Sequence, residues 1–177
     1  MKKKTLALVL ALTLLVAGVV GGTLAWLTDR TAEVKNTFTV GDINIGLTET
    51  TTDYKMVPGN TIAKDPTVTV KANSEACWLF VKVTKSENLD TFITYAIAEG
   101  WTALPGVDGV YYREVPASAA DQTFSVLADN AVTVNSDVTK EMLTAKDFAN
   151  PTLTFKAYAV QKAHFDTPAA AWAEVSK

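Results

Sequence analysis

The chain of 177 residues carries 16 Lys and Arg against 19 Asp and Glu, a formal charge of −3, with one Cys and one His. An acidic chain without a basic cluster excludes a nucleic-acid partner, because such affinity rests on neutralised phosphates. A lone Cys77 cannot close an intramolecular disulfide, so a hydrophobic core and not covalent staples must hold the fold.

The chain opens with Lys2, Lys3 and Lys4, then an apolar run from Leu6 to Val20, then Gly21-Gly22-Thr23-Leu24-Ala25. This is the order of a secretory signal peptide: charged region, hydrophobic region, small-residue cleavage site. Small side chains at Thr23 and Ala25 place the cut after Ala25, leaving Trp26 as the new N-terminus. The apolar run falls short of the roughly 20 residues of a comfortable membrane span; a retained anchor is the alternative. Export therefore predicts a secreted protein, in the extracellular matrix or on the cell surface. Cleavage leaves 177 − 25 = 152 residues and, with three lysines lost, a charge of −6. A chain of that length buries about 68–70% of its unfolded surface, enough for one domain over 37–177 behind an arm at 26–36.

Strand signals dominate the rest. Phe38 and Val40 alternate with polar residues, and so do Ile43, Ile45 and Leu47. The inward parity changes across Gly41-Asp42, which predicts a β-bulge there. Pro58-Gly59-Asn60 reads as a turn. Val68 and Val70 alternate with threonines, while the run from Cys77 to Val83 is nearly all apolar, as in a central strand covered on both faces. Strands are expected from Phe92 to Ala98 and from Val110 to Val115, with turns at Leu104-Pro105-Gly106 and Asp108-Gly109. Phe124 to Leu127 and Ala131 to Val134 flank Ala128-Asp129-Asn130, a predicted hairpin turn. The last strand is expected over Thr152 to Val160, after Pro151. Two short helices are predicted, one from Asp137 to Ala145 and one from Ala169 to Val175, the second capped by Thr167 with Pro168 at its first position. Many short strands without βα alternation predict an all-β, antiparallel β-sandwich.

Catalytic chemistry finds little material. His164 has no H-E-x-x-H partner and no second imidazole, whereas zinc protease sites use two or three histidines. A Cys77–His164 dyad needs a nucleophile in mid-strand, where burial is expected; His164 reads as a surface loop residue. Asp42-Ile43-Asn44-Ile45-Gly46 echoes a calcium loop, but its alternating isoleucines mark a strand. Asp29, Asp65 and Asp166 read as isolated turn or cap residues. No catalytic residue, metal site or cofactor is assigned. Trp101, Tyr111, Tyr112 and Trp172 are candidates for an exposed, sugar-stacking aromatic surface, weighed against core packing.

Three blocks of residues carry a family resemblance. Gly22-Thr23-Leu24-Ala25-Trp26-Leu27-Thr28-Asp29 followed by Asn36-Thr37-Phe38-Thr39-Val40-Gly41-Asp42-Ile43 resembles the signature of SipW-dependent exported proteins, the TasA biofilm-matrix fibre proteins and camelysins of Gram-positive bacteria. Val57-Pro58-Gly59 through Lys64-Asp65-Pro66 to Trp78-Leu79-Phe80-Val81-Lys82-Val83 is similar to the next two strands of such domains. Ala157-Tyr158-Ala159-Val160-Gln161 with Ala171-Trp172 is similar to their C-terminal end. The resemblance implies a jelly-roll-like sandwich, a SipW-type signal peptidase as export partner, and self-assembly into fibres with other matrix components as further partners. It also implies the metalloprotease class of camelysins, for which this sequence offers no ligand set.

Processing would expose an arm of apolar character at Trp26, Leu27 and Val34, leading into Phe38. About ten extended residues reach roughly 33–36 Å, far enough to add a strand to a neighbouring sheet. A head-to-tail contact of that kind that does not close produces a filament. The expected function is a structural, self-associating matrix or surface protein. A monomeric carbohydrate- or protein-binding module is the alternative, and a camelysin-like protease a distant third.

Overall fold

The computed structural model describes residues 42–51 and 54–177. The expected signal peptide and the residues named for its cleavage, Thr23, Ala25 and Trp26, the arm residues Leu27 and Val34, and the expected strand at Phe38 and bulge at Gly41 all fall outside the described residues.

Antiparallel strands are the main regular elements of the described chain. In order they are β1 (Ile45–Thr48), β2 (Thr61–Ala63), β3 (Thr67–Val70), β4 (Cys77–Lys85), β5 (Ile93–Thr94), β6 (Thr102–Ala103), β7 (Val110–Val115), β8 (Gln122–Ser125), β9 (Ala131–Val134) and β10 (Leu153–Gln161). Short helices intervene: α1 (Leu89–Phe92), α2 (Lys140–Thr144) and α3 (Pro168–Val175). The strands form three sheets, ordered β1-β3-β8, β10-β4-β7-β6 and β2-β9-β5. The protein is all-β, as its turn-rich patterning predicts.

Period-two alternation explains the layering. On β4, Cys77, Leu79, Val81 and Val83 point one way and join Val68, Val70, Val126 and Trp101 in one core, with Ile43, Ile45 and Phe124 against it. Trp78 and Phe80 point the other way and meet Leu104, Val110, Ala171 and Trp172. The sheet β10-β4-β7-β6 is thus covered on one face by β1-β3-β8 and on the other by α3. A central strand apolar on both faces follows directly. Alternation continues across the sheet. Leu153, Phe155, Ala157 and Ala159 of β10 pack into the first core, while Tyr158 and Val160 pack into the second.

The two three-stranded sheets are halves of one bent ribbon. β2 pairs with β9 through Ala63↔Ala131, and β3 pairs with β8 through Thr67↔Ser125. Lys64 N donates to Asn130 O at 2.7 Å and Val126 N to Pro66 O at 2.9 Å, so three residues, 64–66, lie opposite five, 126–130. The predicted hairpin at Ala128-Asp129-Asn130 is therefore incorrect. β8 and β9 run on in one direction, and the segment between them is a bulge. Asp129 (φ 54°) and Asn130 (φ 50°) adopt the left-handed conformation that their short polar side chains tolerate. Pairing with a third strand, not local turn chemistry, decides the outcome.

Other expectations shift at their ends. The strand expected from Phe92 to Ala98 is strand only at Ile93–Thr94, with a further bridge from Ile97 to Leu127. Phe92 instead ends α1, where its three-residue spacing from Leu89 buries both side chains. The helix expected from Asp137 starts at Lys140, because Thr139 caps it by accepting from Met142 N. α3 begins as its sequence predicts, with Pro168 at the first turn and Thr167 Oγ1 accepting from Ala170 N at 3.3 Å. The turn ending at Gly109 is demanding: φ is +70°, and a Cβ there would run into the Val83 carbonyl oxygen. Only glycine lets that loop close on β4.

Candidate functional site

Extending two strand parities past the ends of their strands leads to the most unusual feature of the molecule. Val68 and Val70 face the core, and the same parity carried back over Pro66 puts Lys64 inside, 8% exposed. Ile43 and Ile45 face the core, and the same parity carried forward over Leu47 brings Glu49 to the same place. Lys64 Nζ lies 2.6 Å from Glu49 Oε1, with the two side chains 10% and 17% exposed. Tyr54 Oη donates to the same carboxylate oxygen at 2.8 Å. The ammonium also sits over two rings, 4.9 Å from the centroid of Tyr54 and 5.4 Å from that of Phe155. Burying a lone ammonium would be costly; the carboxylate and the rings together compensate it. The neighbouring negative charge and burial hold the Tyr54 phenol well above its ordinary range, with burial the larger cause.

This trio forms one wall of a cavity of about 660 Å³. Its remaining walls come from Leu47 and Thr48 of β1, Ile62 of β2, Met56, and the start of β10 from Leu153 to Phe155. The site lies where the strand ends of both layers meet. Asp65, next to Lys64, faces away from the trio and takes a separate role. Its carboxylate accepts from Thr50 N at 2.9 Å and from Thr50 Oγ1, and these bonds hold its pKa below the usual carboxylate value. The segment after β1 is thereby tied to the loop that carries Lys64.

A second half-buried cation lies elsewhere. The Arg113 guanidinium stacks 3.8 Å from the Phe124 ring centroid and 5.3 Å from that of Trp101. Its Nε is buried without a hydrogen-bond partner among the described residues, and burial lowers its pKa. Gly100 leaves the guanidinium room, since a Cβ there would stand 3.0 Å from Arg113 Nη2.

The candidate aromatic surface is not exposed. Trp101 (9% exposed) and Trp172 (8% exposed) are core residues, and Tyr111 and Tyr112 are half-buried. Tyr111 and Tyr112 do point to opposite faces of β7, but each face is covered: Tyr111 packs on the first core and Tyr112 on the second. The expectation of a sugar platform at these four residues is corrected on that ground. Cys77 is fully buried, and burial pushes its thiol up to about 11, so it is a poor nucleophile. His164 is exposed at the end of a short helical turn (Lys162–His164), as read from sequence. Asp42 engages its neighbours, Oδ1 accepting from Ile43 N and Oδ2 from Asn44 Nδ2, each at 2.8 Å. No group of three His, Cys, Asp or Glu side chains suited to a metal ion occurs among the described residues.

No family model, curated protein or solved structure matches this chain. The site must be read from its own chemistry. The sequence reading assigned no role to Lys64, Glu49, Tyr54 or Arg113, although the strand parities that bury the first two are present in it.

Proposed function

We propose that this chain is exported and acts as a self-associating structural protein of the extracellular matrix or cell surface, of the TasA and camelysin kind, with a jelly-roll-like sandwich as its domain. The observation that carries the reading is the N-terminal sequence. Three lysines and an apolar run lead to Thr23-Leu24-Ala25, and directly after this comes an arm headed by Trp26 and Leu27. A signal peptidase of the SipW type would remove residues 1–25. The freed arm would then add a strand to a neighbouring copy by backbone pairing.

The described domain supports this by offering suitable edges. β10 is a nine-residue strand at the edge of its sheet, paired with β4 along one side only among the described residues. Among the described residues β1 and β8 are the edges of a second sheet. Exposed edges of this length template pairing with another chain unless something covers them. Directional pairing through an arm repeats from copy to copy and extends a filament. The binding-module alternative loses its sugar platform now that Trp101 and Trp172 are buried.

The test is direct inspection of the processed protein. N-terminal sequencing of secreted material is expected to begin at Trp26, and negative-stain electron microscopy is expected to show filaments. Secreted protein that retains residues upstream of Gly22 and stays as isolated particles would refute the reading.

A further inference from the structure

The cavity beside Lys64 holds side-chain chemistry that strand addition by backbone pairing does not use, and that chemistry is specific enough to define a ligand. We propose that it binds an uncharged amphiphile, with a short alkyl chain and an amide or hydroxyl head group that meets the Lys64–Glu49 pair.

Size and lining set the first limit. A cavity of about 660 Å³ falls within the roughly 300–1,000 Å³ of small-molecule sites, and its lining mixes apolar side chains with a few convergent polar groups. Leu47, Met56, Ile62 and Phe155 supply surface for a hydrocarbon chain.

Charge sets the second limit. Lys64 and Glu49 neutralise one another at 2.6 Å, so the polar wall carries no net charge. A carboxylate head drawn to Lys64 would also stand beside Glu49, and an ammonium head drawn to Glu49 beside Lys64, so either would bring an uncompensated charge into an apolar cavity. A neutral head meets no such cost.

Unused hydrogen-bonding capacity sets the third. An ammonium has three donors, and Lys64 directs one to Glu49 Oε1 among the described residues. Tyr54 Oη and Lys64 Nζ both use Oε1, which leaves Oε2 without a partner among those residues, and Glu49 lines the cavity. The wall thus presents a donor and an acceptor side by side. A primary amide carries the complementary acceptor and donor, and a hydroxyl group can serve as either. Because the rings of Tyr54 and Phe155 and the Oε1 contact hold the ammonium in place, the wall is arranged before the ligand arrives.

N-phenyl-1-naphthylamine, an uncharged probe that brightens on leaving water, tests the site in the purified exported chain. Saturable uptake of one probe per chain is expected. Decanamide is expected to displace it at about tenfold lower concentration than decanoate or decylammonium, because a charged head beside an already neutral pair is desolvated without a compensating charge. Leu47 is 36% exposed at the mouth of the cavity, so Leu47→Trp is expected to leave the circular dichroism unchanged and to weaken uptake about tenfold by filling the entrance. The double variant Lys64→Met with Glu49→Gln keeps the apolar walls and is expected to bind the probe while needing about tenfold more decanamide to displace it, because the head group loses its hydrogen bonds to the pair. Absence of saturable uptake, equal displacement by all three compounds, or uptake indifferent to Leu47→Trp would each overturn the proposal. Displacement by decanamide at the same concentration in the double variant as in the unaltered chain would overturn the assigned role of the pair. None of these readouts depends on filament formation, so failure here is distinct from failure of the assembly reading.

Discussion

Replacing Lys64 by methionine tests whether the buried pair is a coupled unit. The substitution keeps most of the side chain's volume and removes its charge, leaving the Glu49 carboxylate, 17% exposed, with Tyr54 as its remaining donor. Removing one member of a fully buried ion pair costs about 3–5 kcal/mol. The partial exposure of Glu49 lets some water reach the orphaned carboxylate, which lowers the expectation to about 3 kcal/mol. Glu49→Gln retains an acceptor for Lys64 but removes the compensating charge, and about 2 kcal/mol is expected. Together the changes leave no uncompensated charge, so the double variant is expected to lose only about 2 kcal/mol, not the 5 of simple addition. Urea melts followed by tryptophan fluorescence measure the three values, provided the m-values agree. The coupling of about 3 kcal/mol is expected to persist in high salt, because a buried pair is screened little. Additivity within about 0.5 kcal/mol would refute the reasoning, because it would mean that the two groups are solvated independently.

Other outcomes follow from single contacts. Trp78→Ala is expected to cost about 3–5 kcal/mol in denaturant melts, since the ring is 8% exposed, packs edge-on to Tyr112 and donates to Phe165 O at 2.9 Å; a loss below about 1 kcal/mol would contradict its place in the core. Cys77 is expected to resist maleimide at pH 8 in the native protein and to react promptly in urea, because burial raises its thiol to about 11 and only the thiolate attacks; equal rates would contradict its burial. Asp121 is held below the ordinary carboxylate pKa, chiefly by accepting from Ala72 N at 2.8 Å and also from Lys71. A lowered folded pKa gives stability that is present above the unfolded value and lost as pH falls through the folded one. Asp121→Asn is therefore expected to flatten the acid side of the stability–pH curve, and an unchanged curve would contradict that assignment.

The parts of the fold that were legible in sequence were those fixed by local period and local caps. Alternation identified β3 and β10, the neighbouring turns marked off β7, the unbroken apolar run identified β4, and Thr167-Pro168 marked the start of α3. What failed was decided at a distance. Ala128-Asp129-Asn130 carries the residues of a hairpin turn, yet the backbone groups around it pair with 64–66 and with 96–98, and the turn residues serve a bulge instead. Leu89 to Phe92 closes as a helical turn because both ends of it bury, a fact that appears only when the β2-β9-β5 sheet is in place. The buried site is a different case. Lys64 shares the parity of Val68 and Val70, and Glu49 that of Ile43 and Ile45, so each strand placed a charged residue on its inward face. Which opposite charge would meet which depends on how β1 and β2 approach each other, and no one-dimensional pattern encodes that. Between an exposed aromatic surface and core packing the sequence could not decide for a related reason, since Trp172 is covered only because α3 folds back over Phe80 and Tyr158.

The account of function turns on the arm at 26–36. The most direct test compares light scattering and electron microscopy of the processed chain with those of the same chain lacking residues 26–36. The intact form is expected to give high-molecular-weight filaments. The truncated form is expected to remain a folded monomer with an unchanged circular dichroism spectrum, because the predicted domain begins after the arm, at Thr37. Burying Trp26 and Leu27 against a neighbour contributes about 1.5–3 kcal/mol each before the costs of ordering, so their loss removes much of the driving force. Equal polymerisation with and without the arm, or a strictly monomeric intact chain, would contradict it.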